Sequence, residues 1–485
     1  MSVNNTLSNA LSGLIAASRA AEVVSANISN SMTEGYGVRE LQLSAMSLDG
    51  TGTGVRVEGI GRKSDIGLIT DRRAANAAYS SAEASWQYFE KIQGSIGLPG
   101  QDGSLNDRIA EFESDLIEAS SRPDSQPRLL SVLRSAQGVA TQINSISDQI
   151  QGERKDADDL IESEVQRLNT FLQHIEILNR DVRLQTGAGR DASSLMDQRQ
   201  QMIDRISSLV PVNELPREHG EIALITTGGA ILLDGKAARF SFDAVGVVTA
   251  DMTIQSGALG QLTMNGELVD TQRKFHSMAG GKLAELFKVR DEYSVESQSA
   301  IDGFARDIIE RFSDPDVDLT LSAGAPGIFT DLGASLTVSD EVGLAARLQV
   351  NPLIDPSGGG EIWKLRAGLN AAVPGDVGDS TLLSRLSNAI SSERVPPSGG
   401  FMAASRSSSG LASDLLSRIG AERESADANL GYASTKFTTL QGLELQNGVD
   451  TDHELQQLLL IEQAYAANAK MVQAVDEMIQ QLLGL

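Results

Sequence analysis

DHELQQLLLIEQAYAANAKMVQAVDEMIQQLLGL, residues 452–485, places Leu458, Ile461, Tyr465, Asn468, Val472, Val475, Ile479 and Leu482 at alternating spacings of three and four. That rhythm is the seam of a coiled-coil helix. Residues 1–30 repeat it with Leu7, Leu11, Leu14, Ser18, Ala21, Ser25 and Ile28. Small residues make this second seam a poorer burial surface. The head contains no proline, and its Gly13 costs about 1 kcal/mol relative to alanine in a helix interior. Two helices at opposite ends of one chain are predicted to pair. Ordering each residue costs about 1–2 kcal/mol of backbone entropy, whereas a fully buried seam residue returns about 1.5–3 kcal/mol. Seam residues are the minority, so the pair is expected to be loose alone and to need surface from further copies.

Between the ends the pattern changes several times. Ser29 to Gly37 is a turn-rich exit in which Asn30 and Gly35 are suited to left-handed backbone angles. Leu41, Leu43, Val55, Val57 and Ile60 alternate on either side of Gly50–Gly54, which reads as a hairpin. Helices are expected from Arg73 to Ile96, from the Ser104 N-cap through Ile117, over a very long stretch from Pro127 to Leu184, and from Ser194 to Leu209. Ile161, Val165, Leu168, Leu172, Ile175, Asn179 and Val182 read as the core face of the long helix. Residues 211–273 look β-rich, with Asp234-Gly235 and Asn265-Gly266 as hairpin turns. Helical periodicity returns over 280–312 and 405–443, while 313–404 hold much of the proline and glycine.

The fold class expected is mainly α with β inserts. Terminal coiled-coil helices (1–36 and 452–485) enclose a helical core domain (37–210, 274–312 and 405–451), which encloses a β-rich subdomain (211–273) and an irregular, mixed insert (313–404). At 485 residues, length alone allows about three domains. The absence of cysteine excludes disulfides, thiolate nucleophiles and zinc–thiolate sites. A formal net charge of −25 argues against nucleic acid or an anionic membrane as a partner. MSVNNTLSNALSGL lacks the basic and apolar regions of a cleaved secretory signal, and no apolar run suits a membrane span. Export through a system that reads an uncleaved, unfolded N-terminus is compatible with that pattern.

No catalytic, metal or cofactor site emerges. His453-Glu454-Leu455-Gln456-Gln457 has Gln457 where a zinc-protease helix needs its second histidine. Asp314-Pro315-Asp316-Val317-Asp318 has calcium-loop spacing at its start, but Leu319 and Ala325 occupy positions that need glycine and a bidentate acid, so a solvated turn is expected. Asp158 and Glu162 read as a solvated helix face.

Several blocks resemble a known family. Leu11-Ser12-Gly13-Leu14, Asn27-Ile28-Ser29-Asn30, Thr33 and Gly35-Tyr36 resemble the N-terminal signature of flagellar rod, hook and hook-associated proteins, and Glu462 to Ala469 with Asp476-Glu477-Met478 resemble the C-terminal one. Gly54 to Ile60, Arg62, Leu195-Met196-Asp197-Gln198-Arg199, Gly280-Gly281-Lys282-Leu283, Arg290-Asp291, Val350-Asn351-Pro352 and Gly375-Asp376 are similar to the family of the first flagellar hook-associated protein, FlgK. Gln200 departs from it, standing where the family repeats an acid, and residues 355–400 are compact.

The resemblance implies a structural, non-enzymatic subunit at the extracellular junction of hook and filament, exported unfolded without a cleaved signal by the flagellar type III apparatus. It implies self-assembly into a tube, the hook protein and a second junction protein as neighbours, and an export chaperone on the C-terminal seam. The expected assembly residues are Leu7, Leu11, Leu14, Asn27, Ile28, Asn30, Gly35, Tyr36, Leu458, Ile461, Tyr465, Asn468, Val472, Val475, Ile479 and Leu482. The alternatives are a hook or rod subunit of the same superfamily, a peptidoglycan hydrolase bearing axial-type termini, and a cytoplasmic coiled-coil signalling protein.

Overall fold

A computed structural model describes residues 3–48, 51–273, 275–401 and 404–483. Helix α1 (Val3–Ser29) leads into an antiparallel hairpin, β1 (Val38–Leu48) and β2 (Thr51–Lys63). Gly52 and Gly54 lie within β2, and the tip of the expected glycine turn, at residues 49 and 50, falls outside the described residues. Helix α2 (Ile66–Ile96) starts seven residues before the expected Arg73, because the Asp65 carboxylate caps it by accepting from Leu68 N at 3.0 Å. Ser104 caps α3 (Leu105–Ser121) as anticipated, accepting from Asp107 N at 3.2 Å.

Helix α4 (Gln126–Gly187) runs 62 residues without a break, about 90 Å at the α-helical rise. Its apolar stripe, including Ile161, Val165, Leu168, Leu172, Ile175 and Val182, is buried along its length. Helix α5 (Ser193–Leu209) folds back against it. A meander of β3 (Val212–Pro216), β4 (Ile222–Thr226), β5 (Ile231–Asp234) and β6 (Lys236–Ala237) follows, then a second small sheet of β7 (Phe240–Ser241), β8 (Thr263–Met264) and β9 (Glu267–Leu268). Asn265 and Gly266, with φ of 55° and 89°, form the turn of β8 and β9 as their sequence predicts.

Helix α6 (Gly281–Lys288) passes through one π turn, Val289–Tyr293, into α7 (Ser294–Phe312). Residues 313–404 are largely irregular. They carry β10 (Phe329–Asp331), α8 (Leu344–Arg347), β11 (Leu348–Val350), which pairs with β10, then α9 (Lys364–Ala367) and α10 (Thr381–Ser391). Helix α11 (Ser408–Gln446) lies antiparallel to α2, since Tyr79 stacks on Phe437 at 5.9 Å while Arg72 bonds Glu444. The turn at Asn447-Gly448 delivers the chain to α12 (Thr451–Leu483).

One continuous apolar core runs from Tyr88 to Ala426 and takes side chains from the β-rich and irregular segments as well as the helices. Two sequence readings need correction here. Asp158 does not face solvent: it is fully buried, pairs with Arg290 at 2.6 Å and accepts from Val245 N at 2.7 Å. Arg290 also holds Asp291 and lies against the rings of Phe242 and Phe287, which pack edge to face on each other, while the buried Arg154 donates to the carbonyls of Arg290, Thr249 and Met252. Two guanidiniums on α4 and the π turn thus stitch the loops of the second sheet to the helical body. Asp318 is likewise a structural clamp, accepting from Thr320 N and Leu369 N at 2.9 Å each. Among the described residues no helix is long and apolar enough to cross a membrane, and no cluster of potential metal ligands forms.

Candidate assembly interface

Helices α1 and α12 lie antiparallel, because Asn27 meets Glu454 and Gly13 meets Asn468. Neither helix contributes to the continuous core. Along α12 the expected seam has the observed phase. Val475 is 1% exposed, and Leu458, Ile461, Asn468, Val472 and Ile479 are half-buried against α1 and its surroundings. Tyr465 is the exception at 48% exposed, and the side chain of Leu482 lies outside the described residues.

The head is phased differently from expectation. Ala10, Ala16, Ala17, Val23, Val24 and Asn27 are its buried residues; Leu7, Leu14 and Ile28 are half-buried, Ser18 and Ser25 exposed, and Leu11 is 54% exposed. Small residues face inward because two elements press on α1 at once. Asn468 lies over Gly13, where an added Cβ would stand 2.7 Å from its Nδ2. From the other side, the Ser12 hydroxyl accepts from Val55 N at 3.2 Å. The glycine that looked like a weak point in the helix is a close-approach site.

Larger apolar side chains of the pair point away from it. Leu11 and Ile15 on α1, with Leu455, Leu459, Leu460, Met471 and Met478 on α12, are all exposed. On α1 the exposed apolar pair lies opposite the buried face, and on α12 the exposed apolar residues flank the buried seam, Leu455 and Leu459 along one edge and Leu460, Met471 and Met478 along the other.

Polar chemistry, and little apolar packing, joins this pair to the body. Asn27, 1% exposed, satisfies all four of its hydrogen-bonding positions: Nδ2 donates to Arg39 O and Glu454 Oε1 at 2.9 Å each, and Oδ1 accepts from Tyr36 OH at 2.8 Å and Arg39 N at 3.0 Å. Burial pushes the Tyr36 hydroxyl above its ordinary pKa, with Arg39 opposing and Asp197 and Glu454 adding to the shift. Asn30 keeps out of the left-handed region that it was expected to use and instead bonds Ala26 O through Nδ2 at 2.9 Å. Gly35 does adopt it, with φ of 74°, and a Cβ there would meet Gln201 Cγ at 2.9 Å.

On the body side Asp197 of α5 accepts from Gly37 N, Arg39 Nη2 and Arg62 Nε at 3.0, 3.1 and 2.7 Å. Arg62 also bonds Gln200, whose amide reaches Glu444 at 3.4 Å. Deeper in, Arg72 joins Glu444 to Asp204, and Arg73 joins Asp204 to Glu214. Burial works against the charge of Arg73, but the Asp204 and Glu214 carboxylates more than offset it and leave its pKa raised. A cleft of about 510 Å³ opens beside this chain of ion pairs, between the 30–36 loop and the end of α11.

Arg39, Arg72, Arg73, Asp204, Glu214, Glu444 and Glu454 were not singled out as site residues from the sequence. The adjacent pair Arg72-Arg73, in a stretch of α2 that also buries Ala75 and Ala77, is a local sign of buried charge there.

The comparisons with known proteins fit this division. A family model of the flagellar hook-associated protein FlgK helical domain matches residues 90–322. A model of the flagellar basal body rod FlgEFG protein C-terminal region matches residues 441–485, and one of the flagella basal body rod protein matches 7–36. The chain is 26% identical over 245 residues to "Flagellar hook-associated protein 1" of Escherichia coli (strain K12), covering 49% of this chain and 44% of that one, so it spans under half the length of that relative. It is 22% identical over 511 residues to "Flagellar hook-associated protein 1" of Bacillus subtilis (strain 168), covering 98% of this chain and 97% of the relative. A solved structure of the flagellar hook junction protein FlgK from Burkholderia pseudomallei aligns with a TM-score of 0.44 at 15% identity, over 54% of this chain and 46% of the other.

Proposed function

We propose that this chain is a member of the flagellar hook-associated protein FlgK family, which the matches to its helical-domain model and to a relative along nearly its whole length support, that it is a structural, non-enzymatic subunit of the junction between flagellar hook and filament, and that it polymerises through α1 and α12. The observation that carries the reading is the uncovered apolar surface of the terminal pair. Leu455 and Leu459 on one edge of the seam and Leu460, Met471 and Met478 on the other lie uncovered on a helix outside the core, and large exposed apolar surface marks an interaction site. The residues that satisfy the pair within one chain, among them Val475 and Asn27, leave these edges for neighbours. In this reading Leu11 and Tyr465 meet other copies, while Leu458, Ile461, Val472 and Ile479 complete their burial there.

The partners follow from the same reading. Identical copies form a tubular ring, the hook protein and a second junction protein lie on either side, and the type III apparatus exports the chain unfolded with a chaperone on α12. The experiment is deletion of residues 455–485 in a flagellated cell. The remaining body is expected to keep its melting transition, because its core ends at Ala426, and to fail to join filament to hook, with filament subunits released into the medium. A truncated chain that still builds the junction refutes the proposal.

A further inference from the structure

Two buried atoms at the root of the terminal pair have no hydrogen-bond partner among the described residues: Arg39 Nε and Glu454 Oε2. They belong to side chains that share a neighbour. The Asn27 amide donates to both Glu454 Oε1 and the Arg39 carbonyl at 2.9 Å, so the carboxylate of α12 and the backbone of β1 converge on one nitrogen. The charges at this point are unevenly matched. Asp197 receives two guanidiniums and a backbone N–H, whereas Glu454, 6% exposed, makes no ion pair among the described residues. A buried carboxylate without a cation is costly, and a second arginine on one already neutralised adds little.

We propose that Arg39 is a positioning residue with two seats. In the arrangement seen here its Nη2 bonds Asp197 and ties the hairpin to the body. In the second, its guanidinium pairs with Glu454 and ties the hairpin to α12 instead. Arg62 stays on Asp197 in both, at 2.7 Å here, so the body keeps its carboxylate neutralised while Arg39 moves. The exchange trades one ion pair for another of the same chemistry and satisfies both orphaned atoms. Because Arg62 of β2 and Gly37 N stay on Asp197, the exchange changes how many charges hold the hairpin on α5, two or one, and hence how firmly the terminal pair is held against it. The latch is a property of the single chain and holds whether or not the chain assembles.

The test uses the full-length protein with spin labels at Gln173→Cys on α4 and Gln463→Cys on α12, both exposed positions in a chain that has no native cysteine. The parent is expected to give one dominant interlabel distance. Asp197→Asn weakens the first seat and is expected to add a second discrete peak carrying roughly half of the molecules. Adding Glu454→Gln to that variant is expected to abolish the second peak. An unchanged single distance, a featureless spread, or a second peak that survives Glu454→Gln overturns the proposal. Independently of whether the Asp197 variant folds, Glu454→Gln alone removes an unpaired buried charge, so amide exchange in the first turns of α12 is expected to stay the same or slow. Markedly faster exchange there also overturns it.

Discussion

Replacing Asn27 with alanine isolates the contribution of the polar root to the terminal pair. The substitution removes four hydrogen bonds, one of them to a carboxylate, and strands the N–H and carbonyl of Arg39 and the remaining Glu454 oxygen in a buried place. Neutral bonds contribute about 0.5–1.5 kcal/mol net, and bonds to charged groups about 1.5–3 kcal/mol. Tyr36 is half-buried and its hydroxyl can turn to water, so the whole is not additive. A cost of about 3 kcal/mol is the expectation, borne by α1, the hairpin and α12 and not by the core, which none of the four bonds touches. Native-state hydrogen exchange separates these regions. Amides of α1 and α12 should exchange about 100-fold faster, since every 1.4 kcal/mol is a factor of ten, with those of α4 unchanged. Equal acceleration in α4, or no change in the terminal helices, would show that the pair is not hung on this residue.

Three further outcomes follow from the geometry. Gly13→Ala should gain less than the roughly 1 kcal/mol a helix interior normally returns, because the new Cβ meets Asn468; in an Asn468→Ala background the missing gain should reappear, and a double-mutant cycle by exchange of α1 reads the coupling. Asp158→Asn leaves Arg290 buried with one carboxylate fewer and should cost about 3 kcal/mol in denaturant unfolding, whereas a loss under about 0.5 kcal/mol would count Asp158 as an ordinary surface site. Burial pushes the Asp302 carboxyl up to about 6 from 3.8, against the opposing bonds from the N–H groups of Ala345 and Gly343 and from Gln298. The folded chain therefore holds that proton more tightly than the unfolded one, and stability from this group falls as pH rises from about 4 to 6. Relative to Asp302→Asn, the parent should gain about 2.5 kcal/mol between pH 7 and pH 4; parallel profiles would contradict the assignment.

Apolar spacing made the helices and the seam of α12 legible, because Val475, Val472 and Ile479 follow the period of three and four that burial obeys. The same rule misled on α1. There the spacing puts Leu11 in the seam, yet close approach by Asn468 and by β2 makes the small Ala10, Ala16 and Ala17 the inward residues. Turn chemistry was read directly where glycine decided it, at Asn265-Gly266 and Gly35, but Asn30 closes its helix by a side-chain bond that leaves no mark on spacing. Buried charge was the least legible. Asp158, Arg290, Asp197 and Glu454 have partners from about 130 to more than 400 residues away, and no local pattern in a sequence records a distant countercharge. Gln200 is intelligible beside Arg62 and Glu444: a neutral amide there can accept from the guanidinium and donate to the carboxylate in the same place.

Both covalent connections between the terminal pair and the body, residues 30–37 and 447–451, enter at the same end of that pair, with the hairpin beside them. Mechanically this is a cantilever on a two-strand neck. A bending couple on the far end resolves into tension in one strand and compression in the other, and the salt bridges of Asp197 to Arg39 and Arg62 brace the first strand and the hairpin against α5. Stiffness of that joint under load is then set by a handful of side chains a few ångströms across, and because these ion pairs are largely shielded from water, raising ionic strength should change it little.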